Sequence, residues 1–274
     1  MIKQVLKKML KKLRAKQLVP IVTPVDKEKM LENKVVLITG GSSGIGLSIA
    51  EACLKSGAKV IIAGSTQSKI DDVLKEKKNP NLAGIVINIM DVSSLNNKVF
   101  EAASIFNGKI DVLINSAGAH HTHQFEDMPE NEFDKIMNTN VKGTFFMCQK
   151  VVEHMKKNGI KGHILNISSS SALRPAWGPY QMSKWAIAGF TKGLAEKCQP
   201  YGIVVNALAP GQTATPMLGI SNDDIYNGYA MAGRYIMPQE IANLAVFMIS
   251  DMGNMIVGDT FYMTGGSGVV TFNG

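Results

Sequence analysis

The stretch TGGSSGIG, residues 39–46, follows the apolar run Val35–Thr39 and leads into Gly44–Lys55, a segment with helical periodicity. Glycines at such a turn let the backbone bend sharply and allow another group to approach it closely. The first turn of the following helix offers free N–H groups and a favourable dipole, which suit a pyrophosphate. A strand, a glycine-rich turn and a helix in this order predict an α/β fold with a phosphate site at the turn.

Outward from this turn, short apolar runs alternate with longer helical segments such as Gln239–Ser250. The runs are rich in Val and Ile and lack polar alternation, as expected of strands that are buried on both faces. The predicted strands are Val35–Thr39, Val60–Ala63, Gly84–Ile89, Ile110–Ile114, His163–Ile167, Val204–Leu208 and Thr260–Met263. Seven strands with crossover helices predict a single domain with a doubly wound parallel sheet of Rossmann type, whose ligands bind beyond the carboxyl ends of the strands.

The positive charge of the chain is concentrated at its N-terminus. The formal net charge is +7, from 29 basic and 22 acidic residues. Residues 1–18 hold seven of the basic residues and no acidic one, so the remainder is formally neutral. A neutral body argues against nucleic-acid binding, which requires basic patches on the folded surface.

Residues 1–18 have the pattern of a basic amphipathic helix. One apolar stripe at helical spacing is formed by Ile2, Val5, Leu6, Met9, Leu10 and Leu13. An apolar stripe flanked by cations is typical of a helix that lies in the interface of an anionic membrane. A partner-protein helix, a packing arm in an oligomer and a disordered basic tail remain alternatives. Residues 19–33 contain two prolines and are predicted to be an extended linker to the body, residues 34–274.

Cysteine usage and hydropathy predict a cytoplasmic protein, with residues 1–18 on the cytoplasmic face of a membrane as one alternative. Cys53, Cys148 and Cys198 are far apart, which favours reduced thiols over a disulfide framework or a zinc site. No apolar run approaches the ~18 residues needed to span a bilayer. The N-terminus also lacks the apolar core and cleavage site of a secretory signal.

The motif Tyr180-Gln181-Met182-Ser183-Lys184 places a phenol and an ammonium four residues apart, on one face of a helix. A tyrosine with a pKa of ~10 is a poor acid–base catalyst at neutral pH. A lysine cation nearby lowers that pKa and makes the tyrosine useful for general acid–base catalysis. The position of the pair after the strand that ends in Asn166-Ile167-Ser168-Ser169 favours catalysis over a surface pair.

Together these motifs resemble the ordered landmarks of the short-chain dehydrogenase/reductase family, in its compact reductase branch. The landmarks span residues 34–268 and are TGGSSGIG, Asp91-Val92, Asn115-Ser116-Ala117-Gly118, Asn140-Val141-Lys142-Gly143, the serines 168–171, YQMSK and Pro210-Gly211. The resemblance implies an oxidoreductase that interconverts a carbonyl and a secondary alcohol by hydride transfer with NAD(P)(H), as a homo-oligomer (a dimer or tetramer). A catalytically inactive nucleotide-binding scaffold at the membrane surface is the alternative.

The resemblance implies a role for each catalytic position. Tyr180 exchanges a proton with the substrate oxygen, and Lys184 lowers the pKa of the tyrosine and holds the nicotinamide ribose. Asn140 positions a water that links Lys184 to solvent. A serine after the fifth strand polarises the carbonyl: the strand alignment favours Ser169, with Ser168 second and Ser170 third.

The cofactor site is implied in the same way. Its predicted residues, besides Tyr180 and Lys184, are Gly40, Ser42, Ser43, Ile45, Gly46, Ser65, Thr66, Asp91, Val92, Asn115, Ala117, Gly118, Pro210, Gly211, Thr213 and Thr215. A carboxylate after the second strand would bind the ribose 2′-hydroxyl and repel a 2′-phosphate. Gly64-Ser65-Thr66-Gln67 contains no acid, so NADP(H) is favoured over NAD(H), with Lys69 in possible reach of the phosphate.

Two further segments are predicted to border the substrate. His120, His121 and His123 follow the NSAG motif and are interpreted as a polar wall of the substrate pocket, with a solvated loop of no functional role as the alternative. No cysteine or spaced carboxylate completes a metal site around them, so none is predicted. Residues 214–236 are predicted to form a substrate lid. The landmarks resemble those of 3-oxoacyl-carrier-protein reductases, gluconate 5-dehydrogenases and general ketone reductases equally, so the substrate stays open.

Overall fold

A computed structural model describes residues 26–215, 217, 219 and 233–268 of the chain. Its strands are β1 (Val35–Thr39), β2 (Lys59–Gly64), β3 (Leu82–Val86), β4 (Val112–Asn115), β5 (His163–Ile167), β6 (Val204–Pro210) and β7 (Thr260–Met263). Its α-helices are α1 (Gly44–Lys55), α2 (Gln67–Lys77), α3 (Leu95–Ile105), α4 (Glu130–Met137), α5 (Thr144–Lys157), α6 (Pro179–Cys198) and α7 (Pro238–Ile249). The amphipathic segment 1–18 and residues 19–25 of the predicted linker lie outside the described residues.

The seven strands form one parallel sheet in the order β3-β2-β1-β4-β5-β6-β7. The chain moves outward from β1 to β3, then returns to the other side of β1 with β4, so the order reverses between β1 and β4. The prediction of a doubly wound parallel sheet is therefore confirmed. Ligands of such sheets bind at this reversal, beyond the carboxyl ends of the strands.

Two hydrophobic layers cover the two faces of the sheet. Successive β1 residues alternate between them: Val36 and Ile38 pack with α1, α2 and α7, whereas Val35 and Leu37 pack with α3, α5 and α6. All five residues of β1 are buried. This burial on both faces explains why the strands are continuous apolar runs without polar alternation.

Several element boundaries differ from the sequence-based ones. The third strand is Leu82–Val86 and not Gly84–Ile89, because its partner β2 ends at Gly64; Ile87 still donates a backbone hydrogen bond to Gly64. The apolar residues after Val86 stay buried without sheet pairing, so hydrophobicity alone placed the strand too late. Smaller shifts affect β4, β6 and α7.

The end of the predicted linker belongs to the packed body. Lys27–Lys29 form a 3₁₀ turn, and Leu31 is fully buried in the layer that contains α1. The Leu31 amide also donates to the Ser56 carbonyl at 2.8 Å. The Met30 side chain packs against the same layer, so the packed body begins before Lys34. Among the described residues, no helix combines the length and the apolarity needed to cross a bilayer.

Candidate active site

A cavity of about 380 Å³ opens at the carboxyl edge of the sheet, where the β1–α1 turn meets the ends of β4, β5 and β6. The structure brings most of the predicted site residues to its wall. These are Gly40, Ser43, Ile45, Gly46, Ala117, Gly118, Ser169, Tyr180, Lys184, Pro210, Gly211, Thr213 and Thr215. Seven other predicted residues are not among those that line the cavity: Ser42, Ser65, Thr66, Asp91, Val92, Asn115 and Asn140.

The glycine turn is packed so closely that it has no room for side chains at two positions. Gly40 has a φ of +67°, and a Cβ on it would lie 2.8 Å from the backbone of Ala117. A Cβ on Gly46 would collide with the Gly40 carbonyl oxygen. The Ser43 side chain makes no capping hydrogen bond to α1, so the amides of the first turn face the cavity side without a side-chain cap. This cradle fits the pyrophosphate of a dinucleotide cofactor.

Tyr180 and Lys184 lie one turn apart near the start of α6, which begins at Pro179. The Lys184 Nζ atom is 5.5 Å from the Tyr180 ring centroid and donates a hydrogen bond to the Ile167 carbonyl at 3.0 Å. Lys184 is buried, and this burial lowers its pKa to about 8. The pair therefore occupies one site with a perturbed lysine, as functional sites often do.

The pKa of Tyr180 differs from the sequence-based expectation. Burial raises it above the usual value, and a hydrogen bond with Ser169 opposes that rise only in part. Desolvation penalises the charged phenolate, and Lys184 is not among the groups that shift this pKa. The phenol is consequently protonated at neutral pH.

The two candidate serines point to different partners. Ser168 donates from its hydroxyl to the Lys184 carbonyl at 3.0 Å and is buried against α6. Ser169 instead shares a hydrogen bond with Tyr180 and donates to the Ser171 hydroxyl at 3.2 Å. Of the two hydroxyls, only that of Ser169 is directed to the tyrosine.

Asn140 lies in a π-helical segment, Asn138–Gly143, between α4 and α5. Its amide oxygen accepts from the Ala119 amide at 2.7 Å, and its amide nitrogen donates to the Ala119 carbonyl and the Ser183 hydroxyl, both at 3.0 Å. The side chain thus ties the loop after β4 to α6. Asn140 supports the Tyr180–Lys184 pair without lining the cavity.

Other predicted residues have visible structural partners. Asn115 donates to Asn166 at 2.9 Å and to the Cys148 sulfur at 3.1 Å, which ties β4 to β5 and α5. Asp91 accepts from the Ser93 hydroxyl at 2.6 Å, and hydrogen bonds from its neighbouring serines lower its pKa. Asn115 and Asp91 therefore bond to neighbouring protein groups and do not line the cavity, and their roles in cofactor binding stay predictions.

Two of the three histidines after β4 form an aromatic cluster with the tyrosine, whereas His123 lies 3.9 Å from the Asp127 carboxylate. His120 lines the cavity, and its ring meets the Tyr180 ring edge-on at 4.9 Å. His121 is buried, stacks on His120 at 5.6 Å and meets Trp177 edge-on at 5.8 Å. In the described part of the chain, no three side chains of metal-binding type converge on one point.

The ends of the predicted lid are joined to each other. Ala214 donates to the Ile236 carbonyl at 2.9 Å, and Ile236 donates to the Gln212 carbonyl at 3.0 Å. Arg234 and Glu240 form a two-pronged ion pair with both contacts at 2.8 Å, which anchors the return of the chain into α7. Residues 216, 218 and 220–232 of this segment lie outside the described residues.

Sequence reasoning missed two residues that line the cavity, Arg174 and Gln212. Arg174 was the harder to find, because it lies in the irregular loop between β5 and α6. No periodicity indicates which way a side chain of such a loop points.

A family model described as short chain dehydrogenase matches residues 34–225. The chain belongs to the short-chain dehydrogenase family. It is 32% identical to a 3-oxoacyl-[acyl-carrier-protein] reductase of Aquifex aeolicus, over 87% of this chain and 99% of that protein. It also resembles the crystal structure of a 3-ketoacyl-(acyl-carrier-protein) reductase from Brucella melitensis complexed with NADH, with 33% identity, a TM-score of 0.79 and coverage of 87% and 100%.

A second solved structure is an actinorhodin polyketide ketoreductase variant with NADPH, at 27% identity and a TM-score of 0.78, covering 86% of this chain and 98% of that one. This short-chain dehydrogenase is therefore an NAD(P)-dependent oxidoreductase that interconverts a carbonyl and an alcohol. Its relatives are dehydrogenases and reductases, and nothing supports the alternative of an inactive scaffold. The relatives with NADH and with NADPH leave the choice between the two cofactors open.

Proposed function

We propose that Tyr180 is the proton donor when this enzyme reduces a carbonyl, with Ser169 and Lys184 as its partners. The observation that carries the proposal is the convergence of all three residues on one cavity whose opposite wall is the glycine turn. The nicotinamide cofactor, when bound, supplies the hydride. Ser169 donates a hydrogen bond to the carbonyl oxygen, and Tyr180 delivers the proton to that oxygen.

The protonation states fit the proposed role of Tyr180 as the proton donor in reduction near neutral pH. Burial raises the pKa of Tyr180, so its phenol holds the proton that reduction requires. The pKa of Lys184, lowered by burial to about 8, leaves most of this side chain cationic at pH 7. That cation stabilises the phenolate left after the proton has been transferred, and Asn140 keeps the helix of both residues in place.

The substitution Tyr180→Phe tests the mechanism because it removes only the hydroxyl. We expect turnover of a panel of oxo-acyl, sugar and simple ketone substrates to fall by a factor on the order of 10² to 10⁴. Cofactor affinity, measured by fluorescence titration, and the melting temperature should stay close to wild type. Near-full turnover by Tyr180→Phe with any substrate of the panel would exclude Tyr180 as the proton donor.

We also propose that NADP(H) is preferred over NAD(H). The support is the end of β2, where Ser65 and Thr66 are exposed hydroxyl residues and no acid follows before Asp71. Thr66 is the N-cap of α2 and makes no side-chain capping bond, so its hydroxyl and the first turn of that helix are open to a phosphate. Lys69, exposed on the first turn of α2, adds a cation.

Assembly into a homo-oligomer is proposed from an apolar surface on α5 and α6. Phe145, Met182 and Trp185 are large apolar residues that are exposed on these two helices. Gly189 and Gly193 on α6 have open space above them, which lets a second copy pack closely. The mass in solution tests this proposal, and a monomer would contradict it.

The proposed location is cytoplasmic, with residues 1–18 attached to an anionic membrane surface. This proposal rests on the sequence pattern of seven cations beside one apolar stripe. A partner-protein helix is the competing use of the same pattern. Every described residue that lines the cavity comes after Thr39, so we expect turnover to be retained without residues 1–18.

A further inference from the structure

Arg174 lines the same cavity as Tyr180 and Lys184, and the proposed mechanism does not use it. Among the described residues that line the cavity, Arg174 and Lys184 are the only arginine and the only lysine. Lys184 is buried and bonded to the Ile167 carbonyl beside the tyrosine. Arg174 is exposed, so its guanidinium is the cation that a substrate can reach from the open side.

The backbone and the side chain of Arg174 are both held in place. Its carbonyl accepts from the indole N–H of Trp185 at 2.9 Å, which ties the loop to α6. Its Nη2 atom donates to the Ser267 hydroxyl at 2.8 Å, and its guanidinium lies beside the backbone of Gly268. An arginine that is already oriented loses less conformational entropy when it binds an anion.

The charge around Arg174 favours an anion as its partner. None of the described residues that line the cavity is Asp or Glu. Within the described part of the chain, the ion pairs join other residues, and none involves Arg174. A guanidinium has five N–H donors in one plane, and the bond to Ser267 uses one of them. The adjoining wall adds the hydroxyls of residues 169–171, which also donate hydrogen bonds.

We propose that Arg174 determines specificity by binding a carboxylate of the substrate, so that the enzyme acts on small carbonyl compounds that also carry a carboxylate. A planar carboxylate pairs with the edge of a guanidinium through charge-assisted hydrogen bonds. This pairing would hold the carbonyl end of the substrate toward Ser169 and Tyr180. The inference rests on the proposed function of Tyr180 and names a substrate class for it.

Two variants separate charge from structural support. Arg174→Met keeps the length of the side chain and removes its charge, whereas Ser267→Ala removes the hydrogen bond to Ser267 and keeps the charge. The probes are acetoacetate and levulinate, each compared with its methyl ester. In Arg174→Met, we expect kcat/KM for the carboxylates to fall roughly 10- to 100-fold, mainly through KM, because a hydrogen-bonded charge pair is lost.

The same variant should lower kcat/KM for the methyl esters far less than for the carboxylates. Ser267→Ala should keep the wild-type preference for the carboxylates. Equal losses for acids and esters in Arg174→Met would mean that Arg174 only supports the loop, which overturns the proposal. A wild-type enzyme that prefers the esters would overturn it as well.

A binding measurement distinguishes failure of this inference from failure of the proposed function. Levulinate and methyl levulinate are titrated by calorimetry into the enzyme saturated with NADP⁺, which cannot reduce them. Tighter binding of levulinate by the wild type, lost in Arg174→Met, is expected even if turnover is absent. Equal affinities of the wild type for both compounds overturn the carboxylate site, whereas equal turnover of a substrate by the wild type and by Tyr180→Phe overturns the proton-donor role of Tyr180.

Discussion

At the scale of single residues, the direction of a hydroxyl separates two neighbouring serines. Ser168 and Ser169 follow β5 in the same extended stretch, so their side chains point to opposite sides. Ser168 bonds to the Lys184 carbonyl and Ser169 is directed to Tyr180. Both residues line the cavity, but the first contact supports the helix that carries Tyr180 and Lys184, and the second reaches the Tyr180 hydroxyl.

This difference predicts opposite phenotypes for two alanine substitutions. Ser169→Ala removes a donor to the carbonyl oxygen, so turnover should fall by about 10² to 10³ while stability changes little. Ser168→Ala removes a buried hydrogen bond and should cost about 1 to 3 kcal/mol of stability, with the smaller effect on turnover. Steady-state kinetics and urea unfolding measure the two effects. The reverse order of turnover losses would show that Ser168 is the catalytic serine.

At the scale of elements, the ends of β1 and β2 differ in how closely they are packed, which fits the different parts of cofactor recognition proposed for them. The turn after β1 is closely packed, since a Cβ on Gly40 would meet the backbone of Ala117. The end of β2 is open, with Ser65 and Thr66 exposed before α2. Close packing suits the pyrophosphate, which NAD(H) and NADP(H) share. The open end suits the 2′-phosphate or 2′-hydroxyl of the adenosine ribose, which distinguishes them.

The substitution Ser65→Asp tests the role of the β2 end. A carboxylate there repels a 2′-phosphate, so the affinity for NADPH should fall about 10- to 100-fold while that for NADH is kept or improved. Ser65→Asn has a similar shape without the charge and is the matched control. Fluorescence titration of both cofactors gives the affinities. Wild-type binding of NADH as tight as that of NADPH would reject the proposed preference.

At the scale of the whole molecule, a buried histidine couples stability to pH. His163 begins β5 and is buried beside Lys34, Asp251 and Asn254. Burial, with the positive charge of Lys34, lowers its pKa to about 4, although Asp251 and Asn254 act in the opposite direction. The unfolded chain therefore binds more protons than the folded chain between the unfolded pKa of about 6.5 and pH 4.

Stability should consequently be highest above pH 6.5 and decrease as the pH falls toward 4. Through His163, the free energy of unfolding decreases by about 2 kcal/mol at pH 5 and by about 3 kcal/mol at pH 4, relative to its value well above pH 6.5. In His163→Gln, the difference in unfolding free energy between pH 7 and pH 5 should shrink by about 2 kcal/mol. His123→Gln, in the loop after β4, is the control. An unchanged pH difference in His163→Gln would contradict this account.

The N-terminal segment is tested on the full-length protein. Binding to vesicles rich in phosphatidylglycerol should be strong at low salt, since each cation near an anionic surface contributes about 1 kcal/mol. It should fall as salt is added and vanish when residues 1–18 are deleted, while turnover of a soluble substrate is retained. Vesicles of phosphatidylcholine alone are the control. Full-length protein that stays in the supernatant at low salt would favour the partner-helix alternative.

The sequence by itself determined the parallel sheet, the family and the position of the Tyr180–Lys184 pair. Buried parallel strands are continuous apolar runs, the glycine turn has a local backbone requirement, and the pair is spaced by one helical turn. Each of these signals lies within a few residues of the chain, so it can be read without knowing distant contacts. The third strand was placed too late because its limits depend on pairing with β2, a contact that its own few residues do not reveal.

Only the tertiary structure decided how the remaining side chains are used. It directed Ser169 and not Ser168 to Tyr180, committed Asn115 and Asn140 to structural hydrogen bonds, and brought Arg174 to the cavity. It also showed that burial raises the pKa of Tyr180, against the effect expected from Lys184. These outcomes depend on side-chain direction and desolvation, which arise from contacts between segments far apart in the chain.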